Sequence, residues 1–394
     1  MKPELLLPAG NPEKLRAAIL YGADAVYLAG AEFGMRAAAD NFTVGEIYEA
    51  VRYAHSFGVK AYLTVNTMPR SDEYPKLREY IDNLRGSKID AVIIADLGVM
   101  RLIREMLPDT EIHVSTQASA VSSAVCNAYQ KLGANRIVLA RELSLGEIKV
   151  IRAETSVELE TFVHGSMCVS YSGQCLLSEH FTGRDANRGK CTQPCRWEYK
   201  IYEIEEQFRP TERLPIMETE LGTFVMSSRD LCMIEHMDEL IDAGIDSFKI
   251  EGRMKSAYYA AVTANCYRMA IDGYIAGKPF DKRLLAELAS VSHREYNTGF
   301  YFGRPGICGE PGYLREKTYL ATAIDGRNFI QRNKLSVGDT VELVSPGEYG
   351  RSFIVTALRD MDGNPIASTP HPQMQFAMDV PFNIKQGDII RGTN

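Results

Sequence analysis

No apolar run in the sequence reaches the roughly 18 residues that a membrane-spanning helix needs, so no membrane span is expected. The opening MKPELLLPAG is a short apolar run with no long hydrophobic region or small-residue cleavage site behind it, so it reads as a strand and not as a secretory leader. No glycine-rich loop of the dinucleotide-binding type follows that strand. There is no Gly-x-Ser-x-Gly elbow and no His-Glu-x-x-His helix, the local signs of a serine hydrolase and a zinc peptidase. The cysteines lack the close Cys-x-x-Cys pairs of a zinc ribbon, the radical-SAM triplet and the ferredoxin run. Positive charge is also short. A formal net charge of −7 argues against indiscriminate nucleic-acid binding, though not against a local basic patch.

What is present is globular. Hydrophobic residues at 45% and charged residues at 24% exclude a disordered chain. A chain of 394 residues is too long for one small core, and one large α/β domain with a smaller partner is the natural division. Eight cysteines without a leader read as intracellular thiols or metal ligands, and a cytoplasmic location is expected.

The first half repeats one phrase. A helical segment ends at a small residue or glycine, a short turn follows, and an aliphatic strand begins, as in Tyr21-Gly22-Ala23-Asp24-Ala25-Val26 and Ala243-Gly244-Ile245-Asp246-Ser247-Phe248. Strands are expected near 4–8, 25–29, 60–66, 91–96, 111–115, 136–140, 157–163 and 247–251. Helical spacing fills the gaps. Residues 12–21 open with Asn11 as cap and Pro12 in first place, and 43–57 open with a Thr43/Glu46 capping box. Eight strands alternating with helices predict an α/β fold of the (β/α)8, TIM-like barrel type. An open doubly wound sheet is the alternative, disfavoured by the missing phosphate loop.

Chemistry on such a barrel sits at the C-terminal ends of the strands. Those ends carry Asn66, Asp96, Ser115, Gln117, Arg141, Glu142, His164, Glu251 and Arg253, with Arg36 in the turn after the second strand. Polar residues begin surface loops by default, so any single one carries little weight. Together they form a rim of hydrogen-bond donors and anion binders. Arg141 and Arg253 are the leading contacts for a small carboxylate, because guanidinium pairs with carboxylate in a two-pronged way. Asn66, Gln117 and Arg36 join them as candidate substrate binders, and His164 and Glu251 are the candidate acid/base groups.

Over 80 residues separate His164 from Phe248, far more than a strand-to-helix loop needs. An inserted Cys-rich subdomain is therefore expected over 165–246, within a barrel of 1–296. Residues 199–204 and 222–226 alternate like strands of a small sheet, and 228–232 read as the start of a helix capped by Asp230. Residues 297–317 read as a connecting segment. Turn signals at 337–339, 345–347, 362–364 and 386–388 predict a small C-terminal β-barrel domain over 318–394.

The insertion concentrates the thiols, as Cys168-x6-Cys175-x15-Cys191-x3-Cys195, with Cys232 further on. Thiols grouped in polar, glycine-rich loops are poor core material, and four soft thiolates suit an iron–sulfur cluster or zinc. Cys126, Cys266 and Cys308 read as inert cysteines on apolar helices or near loops. His164, four residues before Cys168, permits a thiolate–imidazole pair and hence a cysteine peptidase. Residues 183–200 carry Arg184, Arg188, Lys190, Arg196 and Lys200 against Asp185 and Glu198. Trp197, the one tryptophan, and Tyr199 are candidates for stacking on bases there, or alternatively for filling the subdomain's core.

The runs ETFVHGSMC (160–168), SGQCLLS (172–178), NRGKC (187–191), QPCR (193–196), KIEGR (249–253) and ELLLPAG (4–10) resemble the signature of peptidase family U32, the collagenase-like peptidases. The family name implies proteolysis. Its better understood members imply hydroxylation with a 4Fe-4S cluster, on tRNA wobble uridine, ribosomal RNA cytidine or a ubiquinone precursor. The tRNA branch pairs the barrel with this kind of tail and implies prephenate as co-substrate. By resemblance the cluster ligands are Cys168, Cys175, Cys191 and Cys232, with Cys195 as the spare. The reading expected on these grounds is an iron–sulfur barrel enzyme that hydroxylates a tRNA uridine. A U32-type peptidase and a non-enzymatic RNA-binding or assembly protein with a structural cluster are the alternatives.

Overall fold

Buried aliphatic strands and capped helices alternate from the first residues of the chain. The computed structural model describes residues 2–35, 40–197, 217–219, 222–224, 228–303, 305 and 313–393. Strands β1 (Glu4–Pro8), β2 (Ala25–Ala29), β3 (Lys60–Val65), β4 (Ala91–Ile94), β5 (Glu111–Val114), β6 (Arg136–Val138) and β7 (Glu158–Ser166) lie side by side in sequence order, all parallel. The hairpin strands β8 (Met217–Thr219) and β9 (Gly222–Phe224) and the short β10 (Asp230–Cys232) come before β11 (Ser247–Ile250). Strand β11 pairs with both β7 and β1 and closes an eight-stranded barrel.

Six helices connect the first seven strands: α1 (Pro12–Leu20), α2 (Val44–Ser56), α3 (Tyr74–Asp82), α4 (Leu97–Met106), α5 (Ser123–Lys131) and α6 (Leu145–Glu154). Local chemistry sets where they begin. The Asn11 side chain accepts from the Lys14 amide, and Thr43 with Glu46 forms the expected capping box. Ser144 and Glu147 make another at α6. The inward faces of the helices pack on the outer faces of the strands, around Leu5, Leu7, Val26, Leu28, Leu63 and Phe248. Two further helices, α7 (Leu177–Thr182) and α8 (Met237–Asp242), flank the insertion, and α9 (Ala257–Ile275) and α10 (Arg283–Ala289) follow the last barrel strand.

The insertion departs from expectation at 228–232. These residues do not start a helix. They form β10, which runs antiparallel to the end of β7, pairing Asp230 with Ser166 and Cys232 with His164. The Asp230 carboxylate is not a cap. It accepts from the Arg294 amide at 3.1 Å and from its guanidinium at 2.7 and 3.1 Å, with both side chains buried. This ion pair fixes β10 against β12 (Tyr296–Asn297), and Leu231 is buried between them. Of the two strands expected in the insertion, 222–224 belongs to the hairpin and 199–204 lies outside the described residues.

The C-terminal strands are β13 (Lys317–Ala323), β14 (Asn328–Gln331), β15 (Thr340–Val344), β16 (Arg351–Ile354), β17 (Leu358–Arg359), β18 (Pro365–Ile366), β19 (Gln375–Met378) and β20 (Ile389–Thr393). They form one antiparallel sheet, ordered β16-β15-β20-β13-β14-β19-β17-β18, a half-barrel with its own core around the stacked Phe329 and Phe376. It is docked on the large barrel. The Tyr21 hydroxyl donates to Val344 O at 2.9 Å, and Asn265 Nδ2 donates to Glu348 O at 2.9 Å. Arg391, buried, reaches Glu287 on α10 and Glu342 on β15, each at 2.7 Å, and Ser290 at 3.0 Å.

Arg391 is therefore the buried charge that joins the two cores, beside a more exposed pair of Arg332 with Glu13 at 2.8 Å. Arg391→Ala leaves Glu287 without its cation at a largely buried interface, with Glu342 held by Lys317 alone, and should lower unfolding free energy by about 3 kcal/mol. Urea denaturation measures this, and limited proteolysis should cut earlier between the two cores. A loss below about 1 kcal/mol would mean that packing alone holds the domains together.

Candidate active site

The C-terminal mouth of the barrel holds a cavity of about 190 Å³, and the cysteine-bearing loop closes over it. Its floor comes from strand interiors. Lys249 on β11 is 5% exposed and ion-paired to Glu160 on β7 at 2.8 Å. Its ammonium lies 4.6 Å from the centre of the Tyr27 ring, which also faces the cavity. Glu160 is fully buried and is shared with Arg136 at 3.3 Å, and Arg136 also pairs with Glu4 and Glu158. Burial alone would raise the Glu160 carboxyl, but Lys249 and Arg136 outweigh it and hold the group below the usual carboxylate range. The lower barrel is thus filled by ion pairs and Tyr62, whose hydroxyl donates to Glu4 at 2.6 Å.

The walls carry most of the expected binders. Asn66 Nδ2 donates to Gln117 Oε1 at 2.7 Å, while Asn66 Oδ1 accepts from the Met35 amide at 3.1 Å. Arg141 lies over the Phe162 ring at 3.8 Å and donates to Ser166 O at 2.8 Å. Arg253 is buried, with its guanidinium on Met35 O, Thr64 Oγ1 and Asn41 Oδ1. Glu251 accepts from the Tyr27 hydroxyl at 3.1 Å. Its approach depends on Gly165, where φ is +107° and a Cβ would stand 2.3 Å from Glu251 O. Arg36 lies outside the described residues.

Among the described residues, buried polar atoms on this cavity's lining with no hydrogen-bond partner include Gln117 Nε2, Arg141 Nε, Ser172 Oγ, Asn187 Oδ1 and Arg196 Nε. Unpaired buried donors and acceptors are costly, and their gathering around one cavity marks a place for a polar ligand. Sequence reasoning missed Lys249, Glu160 and Tyr27. A lysine and a glutamate inside aliphatic strands were the available signal, since buried charges need partners.

His164 is brought elsewhere. It does not line the cavity. It is buried against the rings of Tyr259, Tyr267 and Tyr296, and burial pushes its pKa down to about 3. Asp96 and Ser115 serve as caps, at α4 and at the turn bearing Gln117.

Cys168, Cys175, Cys191 and Cys195 all line the cavity. Burial raises the Cys195 thiol; Arg196 lowers it, and the neighbouring Cys168, Cys191 and Cys175 raise it further. Cys232 does not line it. It stands opposite His164 on β10, with its sulfur 3.9 Å from the Tyr267 hydroxyl, and burial pushes its thiol up to about 11. Among the described residues no three Cys, His, Asp or Glu side chains stand in metal-coordinating geometry. Four soft thiols on one wall fit an iron–sulfur cluster or zinc by donor type. Cys126 and Cys266 are buried with raised pKa values, as inert cysteines are, and Cys308 lies outside the described residues. Trp197 is 37% exposed, with its indole N–H on Thr192 O, so it does not fill a core. Tyr199 lies outside the described residues.

A family model described as Peptidase family U32 matches residues 10–310, and one described as Peptidase family U32 C-terminal domain matches 322–391. The chain is 38% identical over 395 residues to tRNA hydroxylation protein P1 of Bacillus subtilis, covering 96% of this chain and 92% of that one. It is 36% identical over 441 residues to tRNA hydroxylation protein P of Escherichia coli, covering 98% and 95%. An uncharacterized protease of Methanocaldococcus jannaschii is 44% identical over 306 residues, covering 76% and 73%.

The ionic floor makes a prediction. Glu160→Gln strands Lys249 in a closed barrel, while Arg136 keeps Glu4 and Glu158, and should cost about 3–5 kcal/mol at pH 7. Glu158→Gln, at a carboxylate 51% exposed, should cost no more than about 1 kcal/mol. The depressed Glu160 group stabilises the fold above its unfolded value near 4.3, and that share is lost as pH falls through the lower folded value. Urea melts of Glu160→Gln should therefore converge on wild type in acid. Equal costs at pH 7 would refute this account of the floor.

Proposed function

Because the chain belongs to peptidase family U32, we propose that it is an RNA-modifying enzyme that hydroxylates the wobble uridine of tRNA to 5-hydroxyuridine. The observation that carries this reading is the cavity itself, with its unpaired polar atoms beside a wall of thiols. A nucleobase offers donors and acceptors along one edge and a flat apolar face. Gln117, Ser172 and Asn187 supply the first kind of contact, and Phe162 under Arg141 supplies the second. A base in an anticodon loop is already unpaired, so little energy is lost in turning it into the pocket. The two tRNA hydroxylation relatives align over nearly the whole chain, C-terminal half-barrel included, which supports tRNA as the partner. A cytoplasmic location follows from that substrate. No helix among the described residues is long and apolar enough to cross a membrane.

The co-substrate in this reading is a small carboxylate, prephenate by family resemblance. Arg141 and Arg253 at the cavity wall are its cationic contacts, with Lys249 below them. Glu251, held by the Tyr27 hydroxyl, is the group in place to hold or release a proton at the cavity. Gly165 keeps it there, and the cysteine loop over the mouth excludes bulk water.

The thiol wall is read as the seat of a 4Fe-4S cluster, which when bound supplies one-electron redox chemistry. Cys168, Cys175 and Cys191 belong to the ligand set implied by resemblance and also line the cavity. For the fourth place, resemblance gives Cys232 and position in this fold gives Cys195, and the fold is the basis for preferring Cys195. Anaerobically purified protein should be brown. Cys168→Ala, Cys175→Ala, Cys191→Ala and Cys195→Ala should each lose iron, and Cys232→Ala should keep it. Iron lost from Cys232→Ala and kept by Cys195→Ala would return Cys232 to the set. A colourless zinc protein would end the cluster reading. Function is tested by nucleoside mass spectrometry of tRNA from a strain lacking the gene, where the 5-hydroxyuridine-derived pool should fall. An unchanged pool, in a strain without a second such gene, would refute the reading.

A further inference from the structure

A second cavity, of about 240 Å³, lies beside the first. Gln193, Arg196, Glu251 and Met254 form the wall between them. Two cations face it from different elements. Arg196, from the cysteine loop, donates to Gln193 Oε1 at 2.9 Å and to Met167 O at 3.2 Å, and its buried Nε has no partner. Lys255, just ahead of α9, donates to Ser292 O at 2.7 Å and lies 4.1 Å from the centre of the Tyr313 ring.

Among the described residues neither cation has a carboxylate within ion-pair distance. Four deeply buried cations, Arg136, Lys249, Arg294 and Arg391, each meet at least one, whereas Arg196 and Lys255 are half-buried and do not. A cation withdrawn from water without a counter-ion is costly, and a bound anion offsets that cost. Among the described residues Glu251 is the one carboxylate lining the second cavity, and the Tyr27 hydroxyl holds it from the side of the first. The charged groups that face the second cavity therefore sum to one positive charge.

We propose that this second cavity binds a backbone phosphodiester of the RNA, next to the nucleotide whose base enters the first cavity. The inference rests on the reading under Proposed function and adds to it the surface that holds the strand. A phosphodiester carries one negative charge spread over two oxygens, which suits two cations converging from separate elements. Base and phosphate are joined through one ribose, so their sites must adjoin, and the shared wall meets that demand. Tyr313, 52% exposed, and Met254, 50% exposed, give the flanking base an apolar and aromatic face at the rim.

The test measures binding, with an anticodon stem–loop RNA bearing the wobble uridine, across a range of salt. Lys255→Gln should weaken binding about tenfold and reduce the slope of log affinity against log salt by about 0.7. Lys255→Arg should restore both. Wild-type affinity and slope in Lys255→Gln would overturn the inference while leaving the proposed function standing. Wild-type protein that does not distinguish this stem–loop from one without the uridine would overturn both. A second measurement needs no variant. An uncharged methylphosphonate at each linkage flanking the uridine, tried in turn, should cost wild-type protein a similar factor at one linkage. Lys255→Gln should show no further loss there. Equal affinity for both substituted RNAs and the native one would overturn the inference independently of how the variants fold.

Discussion

Strand β7 has more partners than any other strand of the barrel, and the site depends on that. It pairs with β6, closes the barrel against β11, and runs past the rim far enough to pair with β10. Its nine residues carry the floor carboxylate Glu160, the stacking ring Phe162, the buried His164 and the glycine that admits Glu251. Two residues after it ends comes Cys168. Closure of the barrel therefore positions the floor, one wall and the root of the thiol loop in one act. A shift of one residue in β7 would turn Glu160 out of the barrel and His164 out of its tyrosine cage together.

Charge is handled in two ways along this axis. Deep in the barrel every cation is paired, and Glu160 is shared between two of them. Towards the mouth the pairing stops. Arg141 meets a carbonyl and a ring, and Arg196 and Lys255 meet carbonyl and amide oxygens and rings. Carbonyl contacts orient a cation without neutralising it. The field along the axis is therefore nearly balanced below and positive above, on a protein whose net charge is −7. A mouth whose cations are oriented but not neutralised favours anionic ligands.

The barrel was legible because its signals are local and repeated. Capping residues, glycine at helix ends and aliphatic strands each recur, and each acts over a few residues. The rim was legible in part for the same reason: Asn66, Gln117, Arg141, Glu251 and Arg253 follow strand ends, and the fold brings them to one cavity. Segment 228–232 was misread because its conformation is decided by Arg294, more than 60 positions away, which no local pattern announces. Lys249 and Glu160 were passed over because a parallel strand reads as a continuous apolar run, and their compensation is across the barrel. The partnering of the thiols depends on how the loop folds back over the mouth. Spacing alone gave Cys195 and Cys232 no order of preference, and the fold separates them by the strand pairing of Cys232 with His164.

That same pairing bears on the peptidase name. A cysteine nucleophile needs a base within hydrogen-bond reach, and an imidazole is the usual one. His164 is near Cys168 in sequence, yet it faces three tyrosine rings, is held neutral by burial, and shares no cavity with the thiol. No other histidine among the described residues lines that cavity. Glu251 does, but a carboxylate beside a thiol disfavours the thiolate and does not activate it. The thiol and the imidazole of a Cys168–His164 pair are thus split between two compartments. The polar and cationic groups of the barrel mouth and the four thiols share one. The imidazole is packed among tyrosine rings and is no part of that cavity's wall.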